Sequence, residues 1–362
     1  MDNKPKVYEL TITPSYVPNW GLKEAVRELL QNALDHDSVL DTATRTGDGV
    51  YGFKILSTGV TLPVSSLLLG STNKNSDNSK LGQFGEGYKL ALLVLCRLGY
   101  KVTVLNGMHK WMPTIQHSSV YGTEVLTITT EMCDYLSEEG IQFIIDGLSA
   151  GDMDTIKSSC LQLQPKKPDH EVLHTQYGDI LLKEAGKLYC GGLFVCDTEL
   201  KFGYNMNVGR IPLDRDRSTV NEWDLLWATS EMWADTNDYK RVANLLNNGV
   251  RDVKHLVYRT NDHIADACNT LFVKHHSDSV PVSSQSEIRD YAAQGITNTV
   301  VVNPTFAEVL KAAPEYKEPE ESKLLPPVTL MHNWLTKHKL NLTAPAISEF
   351  NKLLDMAVNW EA

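Results

Sequence analysis

Residues 28–35 read Glu-Leu-Leu-Gln-Asn-Ala-Leu-Asp. On a helix, Glu28, Asn32 and Asp35 fall at i, i+4 and i+7, so a carboxylate, an amide and a second carboxylate share one stripe. Leu22, Val26, Leu29, Leu30 and Ala33 form an apolar stripe beside it, which predicts a helix from about Trp20 to Leu34 with Asn19 as its N-cap. An amide oxygen is a hard ligand suited to Mg²⁺, and a neighbouring carboxylate can orient an attacking water. Taken alone, the same stripe reads more readily as a solvated face with charges at helical spacing.

Further along, Gly82-Gln-Phe-Gly85-Glu-Gly87-Tyr-Lys89 precedes an apolar run from Tyr88 to Leu98, with Gly99 placed as a C′ residue. Glycines let successive backbone N–H groups converge on an anion without Cβ obstruction, and the following helix adds its N-terminal dipole. The spacing is neither that of a Walker A loop nor that of the dinucleotide-binding fingerprint. Alone, a glycine-rich turn before a helix is usually just a turn. The small polar residues 71–80 (STNKNSDNSK) have no means of packing, which predicts a mobile loop ahead of the glycines.

Together and in this order, the two stretches resemble the boxes of the GHKL ATPases (gyrase, heat-shock chaperone, histidine kinase, MutL), and the resemblance covers roughly residues 7–130. It implies that Glu28 activates water, Asn32 holds Mg²⁺ and Asp35 is the accompanying acid. By the same resemblance Gly82, Gly85 and Gly87 contact the phosphates of ATP, and Lys89 lies nearby. Gly122-Thr123-Glu-Val125 resembles the late strand whose threonine helps seat the adenine. One box departs from the family. Where Asp-x-Gly-x-Gly is usual, the chain has Ser57-Thr58-Gly59-Val60-Thr61. Ser57 and Gly59 then stand at the base, with a neutral hydroxyl in place of a carboxylate.

The implied fold is α+β: an N-terminal sandwich over residues 1–149 with helices covering a mixed or antiparallel sheet, then a transducer-like α/β domain over 150–313. A Pro/Glu-rich linker (314–326) and a helical tail (327–362) complete the expectation. Strands are predicted at 7–13, 50–56, about 100–105 and 123–129, and a short helix over Pro63 to Leu69. In the second segment, 191–197 reads as a strand, Tyr204-Asn205 as a turn, and 213–217 (LDRDR) as the lead into a helix capped by Ser218 or Thr219. A transducer domain would supply a basic residue to the γ-phosphate, for which Lys201, Arg210, Arg215 and Arg217 are the candidates. Any single one of them reads more readily as a member of a surface ion-pair cluster.

The formal charge of −11 and pI near 5.5 argue against direct binding of nucleic acid, which needs clustered Lys and Arg. No apolar run is long enough to cross a bilayer, and the polar N-terminus lacks a signal-peptide core. Six scattered cysteines with no CxxC pair suit a cytoplasmic protein. The functional expectation is Mg²⁺-dependent ATP binding with slow hydrolysis, driving a lid, domain or dimerisation switch. A non-hydrolysing nucleotide-binding accessory protein, bacterial or phage, acting on a protein partner is the alternative.

Overall fold

Helix formation at the N-terminal box starts from a capping interaction. The N–H of Gly21 donates to Glu24 Oε2 at 2.9 Å, and α1 runs over Leu22–Leu34. This start is two residues later than the sequence suggests, because Glu24 reaches back to Gly21 and not to Asn19. In a computed structural model, residues 4–36, 38–46, 50–68, 86–133, 140–213, 219–317 and 327–361 are described. The chain divides into two compact units, Met1–Met232 and Trp233–Ala362.

In the first unit the strands are β1 (Lys6–Glu9), β2 (Ser38–Thr46), β3 (Val50–Thr58), β4 (Lys101–Asn106), β5 (His109–Ser118), β6 (Thr123–Met132) and β7 (Gly140–Leu148). They form one antiparallel sheet in the order β1-β6-β5-β4-β7-β3-β2. A single 3-10 turn, Val64–Leu67, stands where the sequence suggests a short helix. Helix α2 (Gly87–Arg97) and α3 (Ala150–Ser158) join α1 on one face. The core there unites Val26, Leu29, Leu30 and Ala33 of α1, Leu92 and Leu95 of α2, and Phe53 and Ile55 of β3. β2, β5 and β7 carry no clear strand signal in the sequence, and β5 contains Pro113, which has no N–H for a ladder.

A second sheet of the same unit contains β8 (Val172–Thr175), β9 (Gly178–Leu181), β10 (Lys187–Cys190), β11 (Leu193–Asp197) and β12 (Gly203–Met206), in the order β11-β10-β12-β9-β8. Tyr204 and Asn205 therefore lie in a strand, paired with Leu188 and Tyr189, and not in a turn. The two compact units divide after Met232, whereas the sequence pattern suggests a break near residue 150. Ile156, Cys160 and Leu193 belong to the core that holds α1, and Lys23 of α1 sits 4.3 Å from the Phe194 ring centre. Helix α4 (Glu222–Ala234) starts later than Ser218 or Thr219 would place it, with Asn221 Oδ1 accepting from the Trp223 and Asp224 N–H groups.

The second unit holds α5 (Tyr239–Asn247), α6 (Asp262–His275), β13 (Val280–Val282), α7 (Gln285–Ala293), β14 (Thr299–Val301) and α8 (Pro304–Lys311). Its β13 and β14 are parallel, joined through α7. Helices α9 (Pro327–His338) and α10 (Ala344–Glu361) follow, Trp334 stacking on Phe350 at 5.1 Å between ring centres. Architecture is thus α+β with a helical C-terminal region. Among the described residues no helix is long and apolar enough to cross a membrane.

Candidate functional site

The three positions of the opening stripe lie together on α1, all half-buried, while the packing residues on its other side are fully enclosed. Asn32 Nδ2 donates to the Glu28 carbonyl at 2.9 Å. That bond fixes the amide and leaves Oδ1 as its remaining acceptor, the atom suited to a hard cation. Asp35 is the C-cap residue of α1.

Gly87 is the first residue of α2, and Glu86 is its N-cap, accepting from the Lys89 and Leu90 N–H groups at 3.0 and 3.2 Å. Helices α1 and α2 pack side by side. At their meeting point a Cβ on Gly87 would overlap Glu28 Oε2 and lie 3.1 Å from its Cδ. The glycine is therefore required by close approach of the carboxylate to the N-terminal turn of α2, where the helix dipole favours negative charge. Two sequence boxes separated by some 50 residues thus come into contact, within the same unit. Gly82 and Gly85, the expected loop over 71–81, and Arg215 and Arg217 lie outside the described residues.

Ser57 is buried on the helix-facing side of β3, in line with Phe53 and Ile55. Its Oγ meets Ser38 Oγ across the β2–β3 pair at 2.6 Å. Gly59 follows at φ +71°, a left-handed turn exposed at the strand end. Ser38 carries no local sequence signal as a member of this cluster, since only strand pairing places it opposite Ser57.

Two implied members stand elsewhere. Thr123 is exposed at the start of β6. Four strand spacings separate β6 from β3 in the sheet order, on the order of 19 Å at about 4.8 Å each. The residue opposite Ser57 on the neighbouring β7 is Ile141, which is buried. Thr123 is thus not brought to Ser57, since β5, β4 and β7 stand between their strands.

Lys89 is fully enclosed, its Nζ donating to the carbonyls of Ser66 at 2.9 Å and Leu68 at 2.5 Å. Burial pulls its pKa below the ordinary lysine value, partly offset by Glu86. Its neighbour Tyr88 donates to the same Ser66 carbonyl at 2.8 Å, and burial pushes its hydroxyl up to about 12. Both side chains therefore staple the 3-10 turn to α2, with Lys89 two residues beyond Gly87. Lys89→Met should lower stability by about 2 kcal/mol, because two charge-assisted hydrogen bonds are lost and the Leu68 carbonyl loses its partner while the Ser66 carbonyl keeps Tyr88, which outweighs the relieved desolvation of one ammonium. Thermal unfolding followed by circular dichroism checks it: a midpoint unchanged within a degree rules out the staple.

Arg97 at the other end of α2 positions α1. Its guanidinium donates to the carbonyls of Pro14 at 2.9 Å, Tyr16 at 3.2 Å and Trp20 at 2.6 Å, enclosing the loop in which Val17 adopts a positive φ of 47°. No sequence motif marks it, since its partners lie about 80 residues upstream. Of the basic candidates in the second segment, Arg210 pairs with buried Glu231 and lies 4.2 Å from the Tyr177 ring centre. Lys201 lies 5.7 Å from the Phe202 ring centre.

No family model matches this chain. A protein of Mycoplasma pneumoniae, itself uncharacterized, is similar to it, with 23% identity over 221 residues that cover 57% of this chain and 88% of that protein.

Proposed function

We propose that the chain is a GHKL-type nucleotide switch. It binds ATP with Mg²⁺ beside the contact of α1 and α2 and hydrolyses it slowly, the change being passed to a protein partner or a second copy of the chain. The observation that supports this most is the seating of the Glu28 carboxylate against Gly87 at the start of α2. In the proposed site Asn32 Oδ1 ligates Mg²⁺, Glu28 orients the attacking water, and the first N–H groups of α2 receive phosphate oxygens. Asp35 closes the polar stripe at the end of α1. Titration of the full chain with ATP in the presence and absence of Mg²⁺, alongside phosphate release, tests the reading. Heat of binding without Mg²⁺ dependence, or no binding at millimolar ATP, sinks it.

A second reading, nucleotide binding without useful turnover, is favoured by Ser57. Its hydroxyl is already engaged with Ser38, so it offers the adenine amino group a neutral acceptor that is shared. Replacing a charge-assisted hydrogen bond by a neutral one costs roughly 1 kcal/mol. Ser57→Asp is therefore expected to tighten ATP by about fivefold and to weaken GTP, whose 6-oxo group meets the new carboxylate. Ser38 would donate to that carboxylate and help it stay ionised. Competition binding with both nucleotides decides; equal strengthening of the two places Ser57 away from the base.

A further inference from the structure

The sheet of the first unit is not closed along its whole length. β4 and β5 pair only through Val104 with Trp111, Leu105 with Lys110 and Asn106 with His109. Yet β4 pairs with β7 from Lys101 onward, and β5 pairs with β6 as far as Ser118. Beyond Val104 and Trp111 the two strands part.

Pro113 gives the reason. The N–H of Gly107 donates to Gly140 and the carbonyl of Met108 accepts from Cys133. Even-numbered residues of β5 therefore turn their backbone to β6, and odd-numbered ones to β4. Pro113 falls on the β4 side, where it has no N–H to give, so the ladder stops. Its carbonyl accepts instead from Cys96 Sγ at 3.4 Å. By the same alternation Val102 of β4 and Ile115 of β5 direct their N–H and C=O groups into the opening, where neither strand pairs with the other.

The result is a cavity of about 630 Å³, lined among others by Cys96, Tyr100, Lys101, Lys110, Met112 and Ile115, a volume within the range of ligand sites. Among the described residues that line it there is neither Asp nor Glu, although the chain has 45 acidic residues against 34 basic. Each lysine has a carboxylate opposite it on the outer neighbouring strand, Asp146 across from Lys101 and Glu131 at 3.2 Å from Lys110, so an entering acidic strand would approach lysines already flanked from one side; Asp152 is bonded to Tyr100. An opening with unpaired strand edges on both sides and two lysines at its rim suits an extended backbone that carries carboxylates.

We propose that this opening takes one extended acidic strand of a partner protein. Its backbone bonds to Val102 and Ile115, its acidic side chains meet Lys101 and Lys110 on the open face of the sheet, and its alternate apolar side chains point toward Cys96. The site is separate from the contact of Glu28 with Gly87, which lies at the opposite end of α2.

Fluorescence anisotropy of the full chain with a labelled hexapeptide of alternating valine and glutamate tests this. Saturable binding is expected, weakened about fivefold by Lys101→Gln and at least tenfold by adding Lys110→Gln. Methylating alternate backbone nitrogens of the peptide should abolish it. Four results would each overturn the proposal: no binding at millimolar peptide, equal binding of a valine–lysine peptide, indifference to N-methylation, or displacement by free glutarate as effective as by the peptide, which marks a small-anion site. Circular dichroism of the variants separates lost binding from lost fold, and the N-methylated peptide needs no variant at all.

Discussion

Glu28→Gln is expected to lower ATP turnover by roughly 10²- to 10⁴-fold, the contribution of a positioned general base, while ATP with Mg²⁺ still binds. Glutamine keeps the shape and the helix propensity of glutamate, and residue 28 is outside the apolar stripe that packs α1, so the fold is retained. What is lost is the charge that orients water. Gly87→Ala reaches the same end from the other helix. Its Cβ would overlap Glu28 Oε2, the far end of a flexible side chain, so the carboxylate is displaced and the backbone is not. Alanine in the first turn is otherwise favourable to a helix, hence stability should hold within about 1 kcal/mol while turnover falls. Phosphate release under single-turnover conditions, read beside calorimetric binding, distinguishes the two quantities. Turnover unchanged in both variants removes Glu28 from the chemistry.

The helices of the candidate site are legible because their signals are local. The i, i+4, i+7 stripe of α1 and the glycine before α2 each depend on a few adjacent residues, and α2 ends at Arg97 with Gly99 at φ +85°, as the pattern suggests. Strand pairing is not local, and there the sequence is silent or misleading. Ser38 becomes the partner of Ser57 only through the β2–β3 register. Thr123 is spelled like a member of the site, yet sheet order puts β5, β4 and β7 between it and Ser57. Lys89 illustrates a different limit. A lysine after a glycine run suggests an anion partner, but its position on the inward face of α2 sends the ammonium to carbonyls of the preceding turn. Charge at a motif position does not by itself tell which way the side chain points. Arg97 is missed for the same reason as Ser38, its carbonyl partners being distant in the chain.

Asn32→Ala should reduce Mg²⁺-dependent ATP affinity by about 100-fold, which is roughly 2.7 kcal/mol, and leave binding of ATP without metal nearly unchanged. Mg²⁺ dehydrates reluctantly and takes few protein ligands, so losing a single oxygen from the coordination sphere removes a large share of what the protein offers it. The substitution is gentle on the fold. Asn32 is half-buried, its one described hydrogen bond goes to the Glu28 carbonyl of its own helix, and alanine is the better helix former. A fall in stability would therefore point to a different role for the amide. Asn32→Asp adds the opposite arm: it keeps an oxygen at the same place and adds charge, so metal-dependent binding should survive, with repulsion toward the phosphates setting how well. Calorimetric titration of the three proteins with ATP, with and without Mg²⁺, reads all of this directly. If alanine and aspartate variants bind Mg²⁺-ATP as tightly as the parent, the metal is not at Asn32, and the stripe on α1 is a solvated helix face after all.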